Sequence, residues 1–243
     1  MRARQTSWAL TESSEAFLRL AVWQIAIREC SIDPVVIAHH LILTGYGHWL
    51  PNDPRGSLSP EIKAGKLFPL GDVHLGRKMP QPLRENVRQF ARRAAPKLEH
   101  EVLWFDVANR QAIAGTFSDV FDSEGYTCFA CAILSNHAHL VIRKHRDRAE
   151  MMIRKLKDKS AERLRVDLQM PMHPIWSGNP FKRFIFTPEQ LRETIKYVKA
   201  NPMKSGLSAQ NFDFVKPYRG EWAAKRQAGV KQPAGSRGRS VSL

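Results

Sequence analysis

Two histidines flank an alanine at His137-Ala138-His139. On a β-strand, side chains two residues apart share a face, so both imidazoles could chelate one divalent ion. Read alone, so short a pattern more often marks two half-exposed histidines at the start of a strand. A working site also needs a third ligand and an acid, base or nucleophile. Tyr197 and Asn201 can supply them: four residues apart, they lie one turn apart on a single helical face. The apolar stripe Leu191, Ile195 and Val198 is offset from that face. A phenol near a cation can lose its proton and become an oxygen nucleophile, and an amide oxygen can complete a metal's coordination. A buried tyrosine hydrogen-bonded at its tip is the other reading of Tyr197. Cys128 and Cys131 would point to opposite faces of a strand and have no second pair, which excludes a closed tetrahedral zinc site. His39, His40, His145 and His173 show no ligand spacing, and His48 receives no role.

These residues need elements to position them. Val35 to Gly45 is β-branched and apolar, bounded by Pro34 and Gly45, and predicts a buried strand. Residues 51–82 interleave prolines and glycines into a long functional loop or insertion. Leu83, Val87, Phe90 and Ala94 recur at helical spacing. A short strand is expected at Val102 to Phe105, then a helix carrying Ile113, Phe117, Val120 and Phe121 and ending near Gly125. Strands follow at Tyr126 to Leu134 and His139 to Arg143, joined by a tight Ser135-Asn136 turn. The next helix, Arg148 to about Leu168, has Ala149, Ile153, Leu156, Ser160 and Leu164 inward. Arg183 to Phe186 predicts a strand. The helix of Tyr197 then starts at N-cap Thr187, with Pro188 at its first position and Gln190 closing a capping box. Asn201-Pro202 restricts its far end. Mixed helices and antiparallel-looking strands indicate one α+β domain over residues 35–222. Residues 1–34 read as an extension with one amphipathic helix, and residues 223–243 as a disordered basic tail.

Bulk properties narrow the partner. The 243 residues carry 38 Lys+Arg against 23 Asp+Glu, a net charge of +15. That excess points to a polyanion, with nucleic acid favoured by where the charges cluster. The 43% hydrophobic share excludes wholesale disorder. No apolar run suits a membrane span or a signal peptide, and 3 cysteines give no disulfide framework, so a reducing cytoplasm is expected. Arg154, Lys155, Lys157, Lys159 and Arg163 crowd the outer faces of the long helix, where they would track a phosphate backbone. Lys182 and Arg183 sit among Trp176, Phe181 and Phe184, a mixture suited either to stacking unpaired bases or to core packing. Neutralising several phosphates in this way would make binding fall steeply with salt.

The chain resembles the IS200-like single-strand DNA transposases of the HUH type, and among them the REP-associated tyrosine transposases. Leu134-Ser135-Asn136-His137-Ala138-His139-Leu140-Val141-Ile142 and Tyr197-Val198-Lys199-Ala200-Asn201-Pro202-Met203-Lys204-Ser205-Gly206-Leu207 carry the resemblance. Tyr46 to Gly56 and the Leu156 to Leu164 segment add to it, so that it spans roughly residues 36 to 215. Ser135 stands where many members have proline, and the N-terminal extension has no counterpart. The resemblance implies a ferredoxin-like or RRM-like antiparallel sheet with helices packed on one face. It makes Tyr197 the nucleophile, His137, His139 and Asn201 the ligands of Mg²⁺ or Mn²⁺, and Lys204 a DNA contact. The activity implied is cleavage and rejoining of single-stranded or hairpin DNA through a covalent 5′-phosphotyrosine, by a monomer or homodimer. Two alternatives stay open: a non-catalytic DNA-binding derivative of the same fold, and a metal-dependent nuclease that uses water.

Overall fold

A computed structural model of the protein describes residues 35–178 and 180–220. The expected N-terminal extension with its helix (residues 1–34) and the basic tail (residues 223–243) lie outside the described residues. The elements run β1 (Ala38–Thr44), α1 (Arg84–Ala94), α2 (Val107–Glu124), β2 (Cys128–Ile133), β3 (His137–Arg143), α3 (Ala149–Asp167), β4 (Phe181–Ile185) and α4 (Pro188–Lys204). Short 3₁₀ turns occupy Gly65–Leu70 and Ala95–Lys97.

The strands form one antiparallel sheet in the order β2-β3-β1-β4. Setting α1 aside as part of the excursion after β1, the β-α-β-β-α-β succession with this order is the ferredoxin-like arrangement. Its crossover helices α2 and α3 share one face. There Leu41, Leu43, Ile133, Leu140 and Ile142 from the sheet meet Ile113, Phe117, Met152 and Leu156 from the helices. Alternation along each strand sends the neighbouring residues to the other face. On that side Ala130, Ala132 and Val141 pack against Leu191 and Val198 of α4. Helix α4 follows the last strand and packs over β2 and β3 and over Ala38 and Ile185 at one end of β1 and β4, leaving open the end of this face that carries His40, Thr44, His137 and His139.

Local signals explain the boundaries. Helix α2 opens on a capping box in which Asp106 accepts from Asn109 N and the Asn109 side chain accepts from Asp106 N, and it closes on Gly125 at φ 68°. Thr187 caps α4 by accepting from Gln190 N at 3.2 Å, as expected. The Gln190 side chain reaches one residue further back than a capping box requires, accepting from Phe186 N at 3.1 Å. Pro202 does not stop the helix, because its fixed φ is compatible with the last turn; Ser205 and Gly206, the latter at φ 75°, do.

Three other expectations change. Val102 to Phe105 joins no strand ladder; its amides bridge loops instead, Leu103 N donating to Tyr46 O and Phe105 N to Ser135 O. Strand β3 starts at His137, two residues earlier than expected. Cys128 and Cys131 face the same side of β2, because a bulge between Cys128 and Ala130 shifts the alternation. Both thiols are free and buried in the α2–α3 core. Beyond β2, the side-chain amide of Gln210 accepts from Ile133 N at 2.9 Å and donates to Ile133 O at 2.8 Å.

Candidate active site

The uncovered end of the sheet is the floor of a cleft of about 1290 Å³, with Tyr197 of α4 on one side and the loop after β1 on the other. Antiparallel register builds the floor. His137 lies opposite Thr44 and His139 opposite Ile42, while His40 pairs with Val141, the next residue along β3 on the same face. The three imidazoles form a chain. His137 Nδ1 is 2.6 Å from Asn136 Oδ1, the Nε2 atoms of His137 and His139 are 3.0 Å apart, and His139 Nδ1 is 3.0 Å from His40 Nε2. An amide oxygen only accepts, so His137 carries its proton on Nδ1 and keeps a lone pair on Nε2. His139 can present its own Nε2 lone pair when its Nδ1–H donates to His40.

Burial, with His48 and Arg55 nearby, lowers the His137 pKa to about 4. Burial beside His137 and His40 takes His139 to about 2. His40, buried near Arg183, falls to about 4. All three are therefore neutral at pH 7, the form that donates to a metal. Two converging lone pairs at this spacing fit a divalent cation, and imidazole suits Mn²⁺ better than Mg²⁺. Among the described residues no three His, Cys, Asp or Glu side chains are grouped to hold a metal, so a further protein ligand would be of another type. Asn201 is buried one turn beyond Tyr197, and its Nδ2 has no hydrogen-bond partner. It does not line the cleft.

Tyr197 is 48% exposed, so it is not a buried tyrosine anchored at its tip. Its ring centroid lies 5.8 Å from that of His139 and 6.1 Å from that of His40, edge-on to both. Lys204 Nζ is 5.5 Å from the same ring. Sequence reasoning missed His40. Its partner is 99 residues away, and strand register was the only signal that could have joined them.

The loop at 51–82 forms the far wall. Asn52 Nδ2 donates to Leu67 O at 2.7 Å and to Gly71 O at 3.2 Å, and Ser57 Oγ donates to Pro51 O at 2.9 Å. Gly56, at φ 88°, runs so close to the facing strand of the loop that an added Cβ would lie 1.9 Å from Gly76 O. His48 donates Nε2–H to Leu103 O at 2.9 Å, tying this turn to the extended 102–105 segment.

The expected DNA-contacting cations divide between the two faces. Arg183 lines the cleft. Lys182, its neighbour, points to the opposite face and pairs with Glu150. Helix α3 also packs on the face away from the cleft, although Lys157 reaches round to donate to Ser177 O, a cleft residue, at 2.6 Å. Arg163 pairs with Asp167, Lys159 lies 3.4 Å from Glu162, and Arg154 donates to Met151 Sδ at 3.1 Å. Trp176 is in the core, donating Nε1–H to Ser160 Oγ at 3.0 Å.

Lys155 is held between Glu124 at 2.6 Å and Asp147 at 2.9 Å, and Asp147 also accepts from the Tyr126 hydroxyl at 2.6 Å. The Tyr126 hydroxyl first, then Lys155, holds the Asp147 carboxyl below its usual range. A depressed carboxyl contributes stability above its unfolded pKa of about 4, and the contribution is lost as pH falls through the lower folded value. Asp147→Asn is therefore expected to flatten the acid side of a plot of melting temperature against pH, below about pH 4, in thermal circular dichroism.

No family model matches the sequence, and no curated protein matches it. Solved structures that match include two transposases. One is a REP-associated tyrosine transposase bound to a REP hairpin, with 11% identity, TM-score 0.40, and 88% of this chain and 94% of that chain covered. The other is a candidate transposase from Deinococcus radiodurans R1, with 11% identity, TM-score 0.33, and 75% and 98% covered. At this level of similarity, function has to be read from the chain's own side chains.

Proposed function

We propose that the chain is a metal-dependent single-stranded DNA transposase or strand transferase that cleaves and rejoins DNA through Tyr197. The observation that supports this most is the placing of an exposed tyrosine beside a converging His137–His139 pair in one cleft. In this reading Tyr197 Oη attacks the phosphorus of a phosphodiester. The P–O3′ bond breaks, leaving a 5′-phosphotyrosine and a free 3′-OH. The linkage conserves the bond energy, so a second 3′-OH can reverse the step and join new ends. Lys204 beside the phenol ring and Arg183 in the cleft wall provide positive charge where the phenolate and the phosphate oxygens carry negative charge. A Mg²⁺ or Mn²⁺ held by His137 and His139, with Asn201 as the third ligand that the resemblance implies, would polarise a non-bridging phosphate oxygen. The other members of the imidazole chain, His40 and Asn136, fix how those two rings are turned. All of these side chains belong to one copy of the chain, so the reading works for a monomer.

The test is incubation with a panel of labelled single-stranded hairpin DNAs and Mn²⁺, followed by denaturing electrophoresis. A covalent protein–DNA band is expected. Salt-sensitive binding with no cleavage would instead assign the chain as a DNA-binding derivative. Cleavage without a covalent band would assign a nuclease that uses water.

A further inference from the structure

The turn after β1 holds features that the chemistry at Tyr197 leaves unused. Trp49 has φ 47°, a left-handed conformation that is a genuine outlier for a bulky residue and that concentrates at functional sites. Its ring meets His137 edge-on with centroids 5.0 Å apart. The Arg55 guanidinium lies 4.4 Å from the centroid of that Trp49 ring. Asp53, buried with 4% of its side chain exposed, fixes the guanidinium: Oδ1 accepts from Nε at 2.8 Å and Oδ2 from Nη2 at 2.6 Å. Asp53 Oδ1 also accepts from Arg55 N at 2.9 Å. The Nη1 protons of Arg55 are left for another partner. Trp49, Arg55 and His137 line the same cleft. A turn needing rigidity alone has that already from Asn52, Ser57 and the close approach of Gly56 to Gly76.

We infer that Trp49 and Arg55 form a subsite for one unpaired nucleotide, seated next to the phosphodiester that Tyr197 attacks. This rests on the reading of Tyr197 given above. A planar guanidinium stacked on an indole offers a surface on which a nucleobase stacks, and its remaining donor edge suits a phosphate oxygen. Asp53 holds the guanidinium in place before the nucleotide arrives, which lowers the ordering cost of binding.

The probe is a fluorescein-labelled dT oligonucleotide about 12 nucleotides long, bound by a Tyr197→Phe protein so that no chemistry intervenes. Arg55→Lys keeps the charge but loses the planar fork. It is expected to weaken binding about tenfold while leaving the slope of log affinity against log salt unchanged, and Trp49→Leu is expected to do the same. Independently of any substitution in the turn, a single 5-iododeoxyuridine placed in the oligonucleotide should photo-crosslink to Trp49, located by mass spectrometry. Binding by both variants within about twofold of the parent, or crosslinks that map outside residues 48–56, would overturn the subsite. The two readings fail separately. A Trp49 crosslink with no covalent adduct in the wild-type protein keeps the subsite and removes the transposase. An adduct formed equally by the wild type and by Arg55→Lys and Trp49→Leu proteins that retain Tyr197, with no Trp49 crosslink, keeps the transposase and removes the subsite.

Discussion

A Tyr197→Phe protein should give no denaturation-resistant adduct with any hairpin DNA that the wild-type protein captures, and strand cleavage should fall at least a thousandfold, to about the level without enzyme. The substitution removes one oxygen from a half-exposed ring on α4, so little else changes. Leu191 and Val198, which seat that helix on the sheet, are untouched. The melting temperature should therefore shift only by the equivalent of about 0.5 kcal/mol or less, as for ordinary surface changes. The salt dependence of DNA binding should also be unchanged, since no cation is lost. Gel assays for adduct and cleavage, run beside fluorescence anisotropy, separate these quantities. Cleavage surviving in the Phe protein would identify water as the nucleophile and leave Tyr197 a structural role.

The opposite pattern is expected of Phe117→Ala. Phe117 is fully buried on α2, in the core between the sheet and the crossover helices. Truncating a buried phenylalanine typically costs about 3–5 kcal/mol, through lost burial and the cavity left behind. For a domain of this size each kcal/mol lowers the midpoint by about 2–4 °C, so a drop of roughly 10 °C is expected in thermal circular dichroism. Well below that midpoint, adduct formation should stay close to wild type, because the cavity opens on the face of the sheet away from His137, His139 and Tyr197. A loss of adduct as large as that of Tyr197→Phe would mean that the two faces are mechanically coupled.

The legible parts of this protein were those whose signals are local. The alternation around His137 and His139, the Thr187-Pro188 start of α4 and the inward stripe of α3 each depend on neighbours within a few residues. His40 was invisible because its meaning comes from register: only pairing β1 with β3 places it against His139. The 102–105 segment has the composition of a strand, yet it spends its amides on loops, a choice made by tertiary geometry. Lys155 shows the limit of counting charges on a helix. Its sequence neighbours suggest a free cation, while Glu124 and Asp147 arrive from elsewhere in the chain to hold it. The proline- and glycine-rich loop was recognised as unusual, but its role as a wall of the cleft depends on contacts such as Gly56 with Gly76 that no spacing announces.

The amide of Gln210 on Ile133 has a consequence for how copies of this chain can associate. An outermost strand with free backbone groups invites another copy to extend the ladder. At β2 that invitation is withdrawn: Gln210 mimics the donor and acceptor of a neighbouring strand, and Lys216 N takes Cys128 O at 2.8 Å. At the other border β4 is short and carries Lys182 and Arg183, and two such strands side by side would place like charges together. Growth of the sheet from chain to chain is thus opposed at both borders, at one by a substitute partner and at the other by repulsion. Among the described residues, the surfaces left for self-association are therefore those of side chains rather than the backbone edges of β2 and β4.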